Sequence, residues 1–244
     1  MNDRKKRENE IEKLRIQSLS DWYLQEQLDF DKKLIRLGYQ TLKHYIKGTE
    51  GLELGSADGQ MTQFLIQDFE RLTIVEGSKN LLNKIHDYPS LVKVNALFED
   101  FEPKWFFNTI VMAHILEHIE SPVALLERSK HWLASRGKIL VIVPNGYSIH
   151  RLVAVKMGLL KEPCELNSRD HALGHRRVYT PDSLRKDIDA SGLKIVKMGG
   201  IFFKPLSNKQ INETWTEEMI QGFYELGKEF PENAAELYVV CELA

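Results

Sequence analysis

With 244 residues, 43% of them hydrophobic and 28% charged, the chain is long enough for one large domain and apolar enough for a packed core. A formal net charge of −2 gives no overall attraction to nucleic acid, and the basic start leads into further charges, not into a signal-peptide core. Cys164 and Cys241 stand far apart without disulfide or zinc spacing, and the apolar run 139–143 is too short for a bilayer, so a cytoplasmic protein with no membrane association is expected.

Residues 1–10 read as a solvated, frayed helix, although Ile11, Leu14 and Trp22 fall on one helical side. From 21 to 47 the apolar positions, among them Trp22, Leu28, Phe30, Leu34, Leu37, Leu42 and Ile46, predict one or two amphipathic helices. Gly51-Leu52-Glu53-Leu54-Gly55 reads as a buried strand ending on a glycine, and Ser56-Ala57-Asp58-Gly59-Gln60 as a turn of small residues. Residues 61–69 have helical spacing, and 71–76 form a second strand ending on Glu76. Strand, glycine turn, helix, strand and terminal acid make a mononucleotide-binding unit, whose ligand lies beyond the carboxyl ends of the strands. Gly55 and Glu76 are about 20 positions apart, the interval between such a turn and a ribose-binding acid.

Ser78 is placed to cap a helix running to about residue 86, and 91–94 is a third short strand. A fourth strand is expected over 106–113, a helix opened by Ser121-Pro122, and a fifth strand over 138–143 that ends in the loop Pro144-Asn145-Gly146. Beyond it, 147–158 reads as helix and 159–177 as irregular. Thr180-Pro181 starts another helix, 193–203 is a strand interrupted at Gly199-Gly200, 215–230 is a helix, and 235–241 is the last strand. There is no internal repeat and no second independent domain.

The glycine turn narrows the ligand. A dinucleotide fingerprint needs glycine where Ala57 and Gln60 stand, and a P-loop needs Lys-Ser/Thr where Gln60-Met61 stands. Glu53 lies one turn from the ligand; its carboxylate repels a pyrophosphate and suits a cation, such as the amino group and sulfonium of S-adenosylmethionine (SAM).

In this turn and in Leu116-Glu117-His118 the chain resembles the class I SAM-dependent methyltransferases of the small-molecule type, with their E-x-G-x-x-x-G motif and their V-L-E-H-I motif. The likeness is good over roughly 50–145 and looser elsewhere. It implies a Rossmann-like α/β fold: a seven-stranded, mostly parallel sheet with helices on both faces, ending in an antiparallel hairpin. It also implies an N-terminal helical cap over 1–47 and a SAM-binding domain over 48–244, with a substrate-binding insertion after the fifth strand at about 146–179. SAM is the implied cofactor, held by Glu53, Gly55, Ser56, Ala57, Gly59, Met61, Glu76, Gly77, Ser78, Leu97, Phe98, Ala113 and His114. Asn95, Glu99 and Asp100 are polar candidates beside the adenine. The pattern departs at Asn108, where family members often carry an acid, which puts a structural hydrogen bond in question.

Methyl transfer from a sulfonium is an in-line displacement, so an enzyme mainly aligns the reactants and excludes water; a base is needed only for a protic acceptor. His118 is the first candidate base, with His171 and His175 as alternatives, against the competing reading of pocket-shaping histidines. His114 and His118 have i, i+4 spacing, but no downstream ligand pattern follows, so no metal is expected. Arg169, Arg176 and Arg177 sit in a locally basic loop that suits an anionic acceptor, unless acids nearby neutralise it. Tyr23, Asn145 and Lys204 complete the candidate acceptor contacts.

The expected activity is therefore transfer of a methyl group to a small molecule, most simply to a hydroxyl or anionic oxygen of a sugar-like or phosphorylated metabolite from a surface-polysaccharide or secondary-metabolite pathway. Alternatives are a quinone-precursor O-methyltransferase, a non-catalytic SAM-binding protein and, more weakly, a nicotinamide oxidoreductase. No nucleic-acid partner is expected, since no aromatic-rich basic groove is present. The stretch 224–230 suits either the core or a homodimer face.

Overall fold

The computed structural model describes residues 3–25 and 29–244, with side chains described at 7, 9–19 and 30–244. Two helices come first, α1 (Asp3–Gln25) and α2 (Asp29–Leu42). The chain then alternates: β1 (Glu50–Leu54), α3 (Thr62–Leu65), β2 (Arg71–Glu76), α4 (Lys79–Leu82), β3 (Leu91–Asn95), β4 (Phe107–Ala113), α5 (Pro122–Lys130) and β5 (Leu133–Pro144). After β5 come α6 (Ile149–Lys156), α7 (Ser168–Leu173), α8 (Pro181–Ala190), β6 (Leu193–Ile201), α9 (Asn208–Thr214), α10 (Glu217–Glu229) and β7 (Glu236–Leu243).

Among the described residues seven strands form one sheet in the order β3-β2-β1-β4-β5-β7-β6. All pairs are parallel except those made by β7, which runs antiparallel to both β5 and β6. This is the Rossmann-like topology implied by the sequence. The central strands are apolar on both sides because both faces are covered. On β4, Ile110 and Met112 face one core with Leu125 and Leu126 of α5 and Leu184 and Ile188 of α8, while Val111 faces the other with α2 and α10.

Several elements differ in length from their sequence patterns. The helices expected over 61–69 and 78–86 are single turns, α3 and α4, because the chain must return to the sheet within a few residues. Of the stretch 193–203, Leu193–Ile201 forms a strand uninterrupted at Gly199-Gly200, where the missing side chains admit the Tyr238 ring and the Ala234 methyl group. Helices α7 and α9 arise where none was expected, each opened by a capping box, Asn167 with Asp170 and Ser207 with Gln210. Asn108 keeps the structural hydrogen bond that its departure from the family pattern put in question. Its amide oxygen accepts from the backbone N–H of Thr49 (3.1 Å) and Glu50 (3.0 Å), and acceptance is all that the acid would do there. Tyr224 belongs to the core, whereas Phe230 is exposed.

Helix α1, expected to fray over its first ten residues, is helical from Asp3 and lies across the carboxyl edge of the sheet. Asn9 donates to Asp100 (2.9 Å), Arg15 reaches the carbonyl of Gly174 (3.3 Å), and Glu12 pairs with Arg176 (3.2 Å). Gly174 makes this approach possible: its φ is +75°, and a Cβ there would stand 2.5 Å from Leu19. No helix among the described residues is long and apolar enough to cross a membrane.

Candidate active site

Two chambers open along the carboxyl edge, one under α1 and one under α2 and the segment 144–175. The outer chamber, about 560 Å³, is walled by Ile16 and Leu19 of α1, by Glu76 and Gly77 after β2, and by Ala96, Leu97 and Phe98 after β3. The inner chamber, about 280 Å³, contains Glu53, Ser56, Ala57, Asp58, Met61, Ala113, His150, His175, Lys204 and Glu236. Gly55, Ala57, His114, His118 and Leu173 line both, so the chambers meet at the glycine turn and the segment after β4.

The turn is built for close approach. Gly55 has φ +72°, and a Cβ there would lie 2.0 Å from the Ile115 side chain. Ala57 takes the left-handed conformation at φ +44° without being glycine, a cost of about 1–2 kcal/mol. It is held there by Glu76, whose Oε2 accepts the Ala57 N–H (3.0 Å) while Oε1 accepts that of Ser78 (2.7 Å). Two amide bonds leave carboxylate lone pairs open to the outer chamber. Asn95 stands behind, donating to the Glu76 and Gly77 carbonyls (2.8 and 3.0 Å), so it braces the acid, and it lines neither chamber.

Glu53 is buried in the inner chamber wall and accepts from Thr62 Oγ1 (2.6 Å). Burial raises its pKa from 4.5 to about 7, the Thr62 bond opposing and Glu76 adding to the rise. A raised carboxyl pKa means the protonated form contributes stability in full below about 4.5, which is lost as pH climbs through about 7. The difference in thermal midpoint between the free wild-type chain and Glu53→Gln is expected to shift against the wild type across that window. A pH-independent difference would show that Glu53 titrates normally. A cation seated in the chamber favours the ionised form.

The segment after β4 holds a chain of ionisable groups. His114, at φ +57°, stands between two buried acids, Glu117 (Oε1 3.3 Å from Nδ1) and Glu236 (Oε1 3.2 Å from Nε2). Burial opposes its charge, but the two carboxylates outweigh that and hold its pKa well above the usual histidine range. The His118 ring meets that of His175 edge-on with centroids 4.7 Å apart. Burial pushes the His118 pKa down to about 4, Glu117 only partly offsetting it. His175 Nδ1 lies 3.0 Å from Asp170 Oδ1. Asp170 is buried, which disfavours its charge, but His175, the Asn167 amide and Arg151 bring its pKa to about 2.

The candidate residues from sequence divide accordingly. Gly55, Ala57, His114 and His118 line both chambers; Glu76, Gly77, Leu97 and Phe98 line the outer one; Glu53, Ser56, Met61, Ala113, His175, Arg169 and Lys204 line the inner one. Gly59 and Ser78 line neither: Gly59 packs against Ile85, and Ser78 caps α4. His171 is exposed on α7 and lines neither chamber, whereas Asp170, one position earlier, is buried and lines the inner one.

The basic loop is largely consumed by structure. Arg177 points at the carbonyls of Leu116, Ile119 and Glu120, outside both chambers. Arg176 faces the outer chamber, bonded to the His118 carbonyl and Glu12, so it does not line the inner one. Arg169 is paired with Asp31. Asn145 reaches the inner chamber wall, but its amide donates to Glu232 and Ala234 carbonyls and its oxygen accepts the Tyr147 N–H, fixing the loop after β5. The side chains of Trp22 and Tyr23, the expected lid aromatics, lie outside the described residues.

Lys204 remains. Its ammonium lies 5.5 Å from the Phe30 ring centroid and has no hydrogen-bond or ion-pair partner among the described residues. Burial lowers its pKa from 10.5 to about 8, with Asp31 and Glu236 opposing and Arg169 and Arg151 reinforcing. Sequence reasoning missed Asp31, His150, Arg151, Asp170 and Glu236 as wall residues. The readable signals were the Asn167/Asp170 capping box and an acid, Glu236, heading the apolar run Leu237–Cys241.

A sequence profile of the family described as "Methyltransferase domain" matches residues 23–198. Solved structures agree in fold. An S-adenosylmethionine-dependent methyltransferase from Mesorhizobium loti aligns over 84% of this chain and 97% of its own, at TM-score 0.60 and 13% identity. A DhpI-SAM-HEP complex aligns over 95% and 97%, at TM-score 0.62 and 15% identity. The N-methyltransferase NodS from Bradyrhizobium japonicum, in complex with S-adenosyl-L-homocysteine (SAH), aligns over 90% of each chain at TM-score 0.54 and 14% identity. A search of curated protein sequences finds no match. The sheet order and the glycine turn define a Rossmann-like α/β class, and the chain belongs to the methyltransferase-domain family, within the class I SAM-dependent methyltransferases.

Proposed function

We propose that the chain binds SAM across the two chambers and methylates a small acceptor carrying an anionic group in the inner chamber. The observation that carries the reading is the meeting of the chambers at His118, with the Lys204 ammonium, unpaired among the described residues, on the inner side. The residues fit the cofactor. Glu76 offers free lone pairs for ribose hydroxyls, Leu97, Phe98 and Ile115 give the base an apolar slot, and Glu53 and Asp58 face a cationic amino-acid moiety. Ser56 Oγ, buried without a partner among the described residues, is a further polar group on that wall.

Bound SAM supplies an electrophilic methyl group, which leaves sulfur as its bond to the acceptor atom forms. The chain's part is to align the acceptor, exclude water and take up a proton where the acceptor is a hydroxyl. His118 and His175 are the groups at that place; Asp170 fixes the His175 ring, and α1 and α2 roof the chambers. A second reading, methylation of an amine, is favoured by Glu236, whose Oε2 is buried without a hydrogen bond among the described residues and would bind an ammonium. Calorimetry with SAM, SAH and NAD tests the cofactor, and labelled methyl transfer to sugar phosphates against amines tests the acceptor. Binding of both adenosyl ligands and transfer to the phosphorylated set is expected. NAD binding alone sinks the proposal.

A further inference from the structure

We propose that Glu117, His118 and His175 bind one divalent transition-metal ion, with zinc as the reference ion, at the junction of the two chambers. A ligating atom from each of the three lies within 4.8 Å of the other two. Two imidazoles and one carboxylate form a donor set suited to zinc and its neighbours in the first transition row, not to magnesium or calcium. Zinc–ligand bonds of about 2.0–2.2 Å place tetrahedral donors about 3.4 Å apart, so the separations within the trio need to contract by up to about 1.4 Å.

Independent features point to a ligand here. The Glu117 side chain is fully buried, yet neither oxygen makes a hydrogen bond among the described residues. His114 Nδ1 at 3.3 Å compensates Oε1, and Oε2 has no partner among the described residues. Buried carboxylates are normally hydrogen-bonded, paired or metal-bound. His175 is arranged as a metal-bound histidine: Nδ1 faces Asp170 Oδ1 at 3.0 Å, which fixes the tautomer and leaves Nε2 with its lone pair. The backbone clasps the two halves of the site, the Arg176 N–H bonding the Glu117 carbonyl at 2.8 Å. Neither the i, i+4 histidines nor the motif exposes this set in the sequence, because His175 arrives from the segment after α7.

Three protein ligands leave an open position, and both histidines line the inner chamber. An acceptor oxygen seated there gains acidity, so the activation placed on the histidine pair is carried by the ion they hold. That role rests on the methyl-transfer reading; the binding site does not.

The test uses the full chain stripped with a chelator and titrated with Co²⁺, followed by visible absorption, then with Zn²⁺. One equivalent of Co²⁺ with intense tetrahedral bands, displaced by Zn²⁺, is expected. Glu117→Gln and His175→Gln are expected to weaken binding at least tenfold, and Asp170→Asn by about 10–100-fold, the usual effect of losing a carboxylate behind a ligating histidine. Absence of the bands, or bands that persist unchanged in Glu117→Gln and His175→Gln, overturns the site. Should those variants not fold, X-ray absorption on the zinc-loaded wild type decides. Two imidazole nitrogens with oxygen support the site, and a sulfur-containing or all-oxygen shell refutes it. SAH calorimetry on the stripped chain runs beside these measurements. SAH binding without metal binding sinks this inference alone, and metal binding without SAH binding sinks the methyltransferase reading alone.

Discussion

Glu76→Ala is expected to lower the affinity for SAM and SAH by about 100-fold or more while the sheet stays folded. Two hydrogen bonds from ribose hydroxyls to an ionised carboxylate contribute about 1.5–3 kcal/mol each, and both vanish with the side chain. A second loss adds to this. Glu76 also accepts the N–H groups of Ala57 and Ser78, so its removal frees the glycine turn and releases the left-handed Ala57 (φ +44°) that shapes the meeting point of the chambers. Glu76→Gln separates the two effects, since its amide oxygen can still accept one N–H group while its amide group faces donors. Calorimetric titration of each variant measures the loss, and thermal melts establish that folding survives. Affinity within a few-fold of wild type in Glu76→Ala would remove the ribose assignment, and with it the placement of the cofactor in the outer chamber.

For Lys204→Met we expect the acceptor KM to rise about 10–100-fold with kcat at saturation little changed, the value of one charge-assisted contact made equally before and during transfer. The wild-type pH profile should carry the same signature. The ammonium titrates at about 8, held there chiefly by burial, so anion binding is at full strength below that pH and fades above it. The charged groups facing it are Asp31 and Glu236, which support the proton, and Arg169 and Arg151, which oppose it. Arg169 is occupied by Asp31 and Arg151 by Asp170, so neither substitutes for Lys204 in the variant. Lys204→Arg keeps its charge at every accessible pH and should abolish the rise in KM above pH 8. A KM untouched in Lys204→Met, or a break near pH 8 that persists in it, would move the acceptor away from this lysine.

The turn where the chambers meet was legible because its chemistry is local in sequence. A strand must end, a glycine must turn at positive φ, and an acid must follow the next strand, so Gly55 and Glu76 stand where their spacing puts them. Parallel strands buried on both faces also leave an unmistakable apolar run, as in β5. Helix lengths were less legible. The patterns at 61–69 and 78–86 continue past α3 and α4, but packing against the sheet ends both helices after one turn.

The acceptor side depended on tertiary structure, because charge in a sequence says nothing about which partner it meets. Arg169, Arg176 and Arg177 look alike in the loop, yet Asp31, Glu12 and a row of carbonyls claim them, while Lys204, less conspicuous, is left with its ammonium unpaired among the described residues. The same holds for Glu117, His118 and His175. The sequence by itself determined the class of fold, the glycine turn and the acid that follows it. Only folding decided that His175 meets Glu117 and His118, because those contacts join segments more than fifty residues apart.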